Sequence, residues 1–513
     1  MERESSGVPE SPSTPVEDEG LKPNAIGFID GLSIGLASTA PAYSLAAVLG
    51  SLVVVIGVQA PAAMLTSFIP MFLIAGAFFY MNRADPDAGT TFSWVTRSMG
   101  PYAGFIGGWA VTTTGILVVG SLADVGARYF YVLIGADGAA SSKVAVTLLA
   151  VGIIVVMTAI CVIGTELSAR LQNVLTLFQV AALLIFAAVA LIKVYTDNAT
   201  PESIMPEASW FSPFDASSFS ALVSGLLLGV FIYWGWESAV NLTEETTDST
   251  RAPGLAAVVS TLVLLVTYLG VSTAVLAYAG IGEVEAFDDD DALFSTLGEG
   301  VLGGNWDWFV VLAICISAIS STQTTIIPAS RTTFSMGRAG AFPHHFADIH
   351  PRFRTPAFST IVVAVLATLW YVPANFVSEN FLFDTLSALS LMIAFYYGLS
   401  GLACAIYYRA ELTKSLKNFI LIGVAPLIGA GLLFWLFVKS AIDLADPEAS
   451  YTGQTWLGVG PPLVIGVGFL LLGFVLMILW RLFGHTNYFQ RKGLEKVHPG
   501  VAAGHIRVEA EEI

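Results

Sequence analysis

The sequence predicts an all-α membrane protein of twelve transmembrane helices. Three observations predict it. Of 513 residues, 55% are hydrophobic and only 12% charged, and the mean hydropathy of +0.74 lies far above that of a soluble globular chain. Apolar runs of about 20 residues, long enough to cross a hydrocarbon core, recur twelve times. Lysine and arginine fall unevenly between those runs.

In chain order, residues 1–25 are polar, acidic and proline-containing, and read as a disordered tail with no cleavable signal peptide. Spans follow near 26–50, 60–82, 101–134, 143–164, 167–195, 217–243, 253–282, 306–338, 357–374, 382–409, 417–443 and 458–484, and a second polar tail covers 485–513. Residues 26–484 therefore form one polytopic domain in the lipid bilayer. Of the 22 lysines and arginines, all but Arg128, Lys143, Lys193 and Lys439 fall on the side of the amino terminus. Positive charge is retained on the cytoplasmic side during insertion, so both termini are expected in the cytoplasm and the protein in the cell membrane. The acidic run Asp288-Asp289-Asp290-Asp291 then falls in an outer loop, where it reads as a solvated stretch or as a local concentrator of cations.

Several function classes are poorly served. A net charge of -17 argues against nucleic-acid binding. Cys161, Cys315 and Cys404 lie within spans and supply no extracellular disulfide framework, while all six histidines lie in cytoplasmic segments. No cofactor, metal or enzyme centre is expected, since the spans assemble no nucleophile, histidine and acid. The chain contains no G-x-x-x-x-G-K-[ST] stretch for a nucleotide-driven motor.

Two spans are irregular. The first contains "IGLASTAPAYS" over residues 34–44, with glycine, hydroxyls and Pro41 where a helix should be most regular. An unpaired backbone group in hydrocarbon costs several kcal/mol, so such a break faces protein, water or a bound ligand. A simple proline kink is the plainer reading. The sixth span holds a second interruption between Gly225 and Ser238. Spans one to five (about 26–195) and six to ten (about 217–409) can form two five-helix units, which an odd number of spans sets in opposite senses; 417–443 and 458–484 are then extra helices. Interrupted helices at corresponding places of two inverted halves point to a transporter's central site. Exposed amides at a half-helix start suit a carboxylate, and freed carbonyls suit an ammonium group or a cation.

Three stretches carry a family resemblance. They are "PDAGTTFSWVTRSMGPYAGFIGGW" from Pro86 to Trp109, "FIYWGWESAVNLTEETTD" from Phe231 to Asp248, and "ASRTTFSMGRAGAFPHHFADIHPRFRTP" from Ala329 to Pro356. Together they resemble the amino acid-polyamine-organocation permeases over spans one to ten, although Thr90 and Phe92 replace that family's usual glycine and tyrosine. The resemblance implies a five-plus-five inverted-repeat fold with discontinuous helices one and six, alternating access, and transport of an amino acid or related amine. A polyamine permease, or a nutrient sensor on the same scaffold, is the alternative. The resemblance places Ser38, Thr39, Ala40 and Pro41 on the carboxylate side of a substrate, and Phe231, Tyr233, Trp234 and Gly235 on its side-chain and ammonium side.

Glu237 is a carboxylate within a span, costly by about 2.5 to 3.5 kcal/mol on insertion scales and therefore expected to face a cavity. It reads either as the carrier of a coupled proton or as a brace for helix six. Many proton-coupled relatives carry a lysine in span five where this chain has Gln179, so a fixed positive charge is missing there. Ser320 and Ser321, with other span-eight hydroxyls, are of the kind that complete a sodium site, or simply join helices. Proton and sodium both remain open as the coupling ion. Asp124 with Arg128 and Glu166 with Arg170 have the spacing of local salt bridges.

Overall fold

Where lipid is the solvent, a spanning backbone must satisfy its own polar groups, and helix is the local solution. The computed structural model describes residues 20–286, 290–304, 306, 308–377, 381–484 and 486–490, and no strand forms among them. Ile26 with Thr246 and Trp456 with Val459 make isolated bridges. Most of both predicted tails, and Asp288 and Asp289 of the acidic run, lie outside the described residues.

Eleven helical stretches are long and apolar enough to cross a membrane, where the sequence predicts twelve spans. The difference arises at the start. Phe28–Ala84 runs as one 57-residue stretch that holds α1 (Phe28–Thr39), α2 (Pro41–Ile56), a 3-10 turn at Gly57–Gln59, and α3 (Ala60–Ala84). Then come α4 (Thr91–Met99), α5 (Pro101–Leu133), α6 (Lys143–Ile163), α7 (Thr165–Tyr195) and α8 (Phe219–Ile232). A 3-10 segment, Trp236–Glu245, separates α8 from α9 (Ala252–Ala286) and α10 (Asp290–Leu302). The chain closes with α11 (Trp308–Arg338), α12 (Ala357–Val377), α13 (Phe381–Tyr407), α14 (Ala425–Asp443) and α15 (Pro461–Leu482).

Local chemistry sets many of these boundaries. Proline starts α2, α5 and α15 at a position whose amide has no helical partner. Ser218 Oγ caps α8 by accepting from the Ala221 amide at 3.0 Å. The most apolar window of α5 is 94% buried and that of α15 only 28%, so α5 runs through the bundle and α15 lies at its lipid-facing edge. Close approach of α5 and α11 depends on small residues: a Cβ on Gly115 would stand 2.8 Å from Ala329 Cβ.

The three sequence stretches that carry the resemblance converge on one face, the arginine-rich one. Arg97 Nη2 donates to Asp87 Oδ2 at 2.8 Å and pairs also with Asp85. Arg338 grips Glu244 with two bonds of 2.8 and 2.6 Å, and the Ala88 amide donates to the same carboxylate at 3.0 Å. Arg331 pairs with Glu245 at 3.1 Å, both side chains essentially without solvent contact, and Thr165 Oγ1 donates to Glu245 as well. The paired acids after span six thus hold the arginines of α11 against the end of the broken sixth span.

The Asp124–Arg128 salt bridge forms at 2.7 Å, and Asp124 also accepts from Tyr371 OH at 2.5 Å. Glu166 pairs with Lys22, 144 residues earlier, at 2.7 Å, tying the segment before α1 to the start of α7.

Candidate substrate site at two broken helices

Both irregular spans are broken. Pro41 has no amide and its ring crowds the carbonyl four residues back, so the first helix stops at Thr39 and Ala40 adopts the left-handed region, φ 48 and ψ 60. The helix restarts when the Ser44 amide donates to Ala40 O at 2.7 Å. In the sixth span α8 ends at Ile232, and Gly235 takes φ 122, a conformation open to glycine, before the chain resumes as a 3-10 helix.

The two breaks touch. Ser38 Oγ and Ser238 Oγ share a 2.7 Å hydrogen bond, and a Cβ on Gly235 would lie 2.6 Å from Ser38 O. Ser321 Oγ of α11 donates to that same Ser38 carbonyl at 3.0 Å. Ser320 turns away, donating to Ser317 O of its own helix at 3.1 Å. Thr39 Oγ1 likewise donates back to Leu36 O at 2.7 Å. Hence Ser38, Ser321 and Gly235 form the junction, whereas Thr39 and Ser320 satisfy local carbonyls. Tyr233 packs its ring 5.1 Å from that of Tyr268, and its hydroxyl, like both amide atoms of buried Gln179, has no hydrogen-bond partner among the described residues.

Glu237 sits at the centre of a closed ring of donors. Trp234 Nε1 donates to Oε1 at 2.9 Å and the Gly235 amide to Oε2 at 3.1 Å. Tyr396 OH donates to the first oxygen and Tyr397 OH to the second, bringing α13 against the break. The side chain is 2% exposed, and four donors compensate a charge that hydrocarbon would not tolerate alone.

Four tyrosines adjoin the breaks without being among the residues that the sequence singles out. Tyr268 OH donates to the Ile232 carbonyl at 2.6 Å, the carbonyl that the second break frees, and it lies against the Ser44 and Thr39 hydroxyls of the first break. The Tyr43 amide donates to Ser317 Oγ at 3.2 Å. Tyr396 and Tyr397 carry the one available signal: two adjacent phenols inside an apolar span, each needing a buried acceptor.

A crevice with Phe231, which precedes the second break, in its wall opens away from the arginine-rich face. It runs between α2, α8, α13 and the α14–α15 loop and is lined by apolar side chains and the hydroxyls of Ser51, Ser387, Ser390 and Tyr451. Among the described residues no group of three His, Cys, Asp or Glu is placed to hold a metal ion.

An all-helical membrane bundle in which two broken helices meet defines a solute permease. A family model described as "Amino acid permease" matches residues 34–481. The chain belongs to that family. It is similar to the methylthioribose transporter of Bacillus subtilis (strain 168), with 24% identity over 414 residues, 76% of this chain and 82% of that protein. The low-affinity putrescine importer PlaP of Escherichia coli (strain K12) is 21% identical over 401 residues, 78% of this chain and 84% of the relative. The Asc-type amino acid transporter 1 of Homo sapiens is 24% identical over 409 residues, 78% and 72% of the two chains. These are transporters, not enzymes.

Proposed function

We propose that the protein carries an amino acid or related amine across the cytoplasmic membrane by alternating access, and that a proton moving through Glu237 couples the cycle to the membrane gradient. The observation that carries this reading is the junction itself. Two half-helices meet end to side at Ser38, Ser238 and Gly235, offering peptide dipoles of both signs to a small zwitterion. Its one carboxylate, Glu237, is bonded to both walls. The arginine-rich face is then cytoplasmic and held shut by its ion pairs, while the crevice faces outward. Residues about 26–195 (α1–α7) and about 217–409 (α8–α13) form the two inverted units that rock about the junction, with α14 and α15 as extra helices.

The Glu237 ring is the coupling element because a proton on one carboxylate oxygen neutralises the charge that Trp234 and Tyr396 meet at Oε1 and that Tyr397 and the Gly235 amide meet at Oε2, and turns the protonated oxygen into a donor. The charge-assisted bonds from Tyr396 and Tyr397 weaken, and with them the hold of α13 on the break. A sodium ion is the competing driver, with Ser321 and the Ser38 carbonyl as its ligands; in the present arrangement those two groups satisfy each other at 3.0 Å.

Uptake into proteoliposomes tests this, using labelled amino acids and diamines with proton and sodium gradients imposed separately. The expected result is accumulation driven by an inward proton gradient. Glu237→Gln is expected to abolish uphill accumulation and its pH dependence while retaining solute exchange. Accumulation with unchanged pH dependence in Glu237→Gln rules out the coupling role, and flux confined to compounds without a carboxylate rules out the substrate class.

A further inference from the structure

The turn that joins α3 to α4 on the arginine-rich face is strained. Thr90 ends that turn with φ 40 and ψ -111, a region that L side chains rarely adopt and that is an outlier for a β-branched one. Thr90 is also the buried position at which this chain departs from the usual glycine of the permeases it resembles. Such a conformation persists only where neighbouring groups over-determine it. Here they do. Asn241 Nδ2 donates to Ala88 O at 2.9 Å and to Thr90 Oγ1 at 3.2 Å. The Ala88 amide donates to Glu244 Oε1 at 3.0 Å, and Ser335 Oγ donates to Asp87 Oδ1 at 3.3 Å. A Cβ on Gly89 would stand 2.6 Å from Ser335 Cβ, so the turn is wedged against α11. The turn belongs to residues 26–195, whereas Asn241, Glu244 and Ser335 belong to residues 217–409. These bonds therefore cross from one proposed unit to the other.

We propose that Thr90 is a positioning residue of the transport cycle, whose backbone is held in strain while the arginine-rich face is closed and relaxes as the two units part, favouring the opening of that face. The inference rests on the permease reading above. Rocking carries Asn241, Glu244 and Ser335 away from the turn, water takes over the Ala88 amide and carbonyl, and Thr90 returns to negative φ. Strain stored in the closed arrangement raises its free energy relative to the open one, and so offsets part of the cost of separating Arg338 from Glu244 and Asp87. Thr90 does this without touching a solute. Glycine adopts φ 40 freely, so Thr90→Gly removes the strain and leaves the closed face favoured. Alanine keeps the Cβ that makes this conformation costly and loses only the hydroxyl that Asn241 holds. The two substitutions thus separate backbone strain from side-chain hydrogen bonding.

The test reads how often the face opens, in full-length protein with Cys315 and Cys404 replaced by alanine and Cys161 kept. Cys161 is buried, donates to the Gln323 carbonyl of α11 at 3.5 Å, and stands four residues before Thr165, which bonds Glu245. A charged, water-soluble methanethiosulfonate added to inside-out membrane vesicles therefore reaches it when that face parts. Thr90→Gly is expected to slow modification of Cys161 by at least about threefold, the strain relieved exceeding the extra freedom that glycine gives the released turn. Its thermal unfolding midpoint in detergent is expected to be no lower than the parent's. Thr90→Ala is expected to react at the parent's rate or faster. Asn241→Ala, which removes a clamp from the turn, is expected to react faster than the parent, and decides the matter should Thr90→Gly fail to insert. Unslowed reaction in Thr90→Gly, a slowing shared equally by Thr90→Ala, or no acceleration in Asn241→Ala overturns the role of strain and leaves the permease reading standing, since Cys161 still reacts from the cytoplasmic side. Cys161 inert in the parent and in Asn241→Ala alike overturns both.

Discussion

Gly235→Val is expected to abolish solute uptake while leaving the protein inserted in the membrane. Two independent costs coincide at this position. Gly235 holds φ 122, where an L side chain strains the backbone by roughly 1–2 kcal/mol or more. A Cβ there would also lie 2.6 Å from Ser38 O, 2.7 Å from Ser38 C and 2.9 Å from Thr39 N, and all three are backbone atoms that cannot swing aside. The two breaks must therefore separate, which misplaces both half-helix ends relative to a bound solute. Even Gly235→Ala is expected to reduce uptake efficiency by at least about tenfold, the equivalent of 1.4 kcal/mol. Gly152→Ala is the control, since a Cβ at Gly152 has nothing within 4 Å. Normal transport by Gly235→Val would show that the breaks need not touch.

The second large effect is expected at Arg331, buried against Glu245 with side-chain exposures of 1% and 0%. Arg331→Met leaves the Glu245 carboxylate with Thr165 but without a counter-charge, and breaking a buried pair in this way costs about 3–5 kcal/mol. Arg331→Met is expected to lower the midpoint of thermal unfolding in detergent markedly, and Glu245→Met to do the same. Arg331→Met combined with Glu245→Met removes both charges and is expected to recover most of that loss. The double variant should still alter transport, because this pair joins α11 to the end of the broken sixth span on the face that opens in the proposed cycle. Single variants as stable as the parent protein would contradict the role of the pair.

The parts of the site legible in the sequence are those that break a rule locally. Pro41 after hydroxyls, and Gly235 among aromatics, contradict the regularity that lipid demands, so both interruptions are readable from residues 34–44 and 225–238 alone. Span existence is readable for the same reason, since hydropathy is a local sum. The first two spans merge into one helical stretch because Gly57–Gln59 turns without leaving helical hydrogen bonding for long.

Partnerships across the bundle were not legible. Glu237 meets Tyr396 and Tyr397 some 160 positions away, and a tyrosine on an apolar helix looks the same whether it packs or donates. Tyr268 bridging both breaks depends on how α9 lies against them, a tertiary fact with no sequence period. Thr39 and Ser320 illustrate the converse: a hydroxyl near a break has its own helix's carbonyl within reach, and that local bond competes with any role in a ligand site. The Glu244 and Glu245 pair was visible as a motif, but its division between Arg338 and Arg331 comes from the α11 turn alone.

Solute protection of a single cysteine tests most directly whether the junction of the breaks is the substrate site. With Cys161, Cys315 and Cys404 replaced, Phe231→Cys places a thiol in the crevice wall beside the second break. Leu457→Cys places one on the exposed α14–α15 loop, where the residue is 93% exposed. A saturating transported solute is predicted to slow modification at position 231 several-fold by a water-soluble thiol reagent and to leave position 457 unchanged. Equal modification rates at position 231 with and without solute would place the substrate elsewhere and contradict the account.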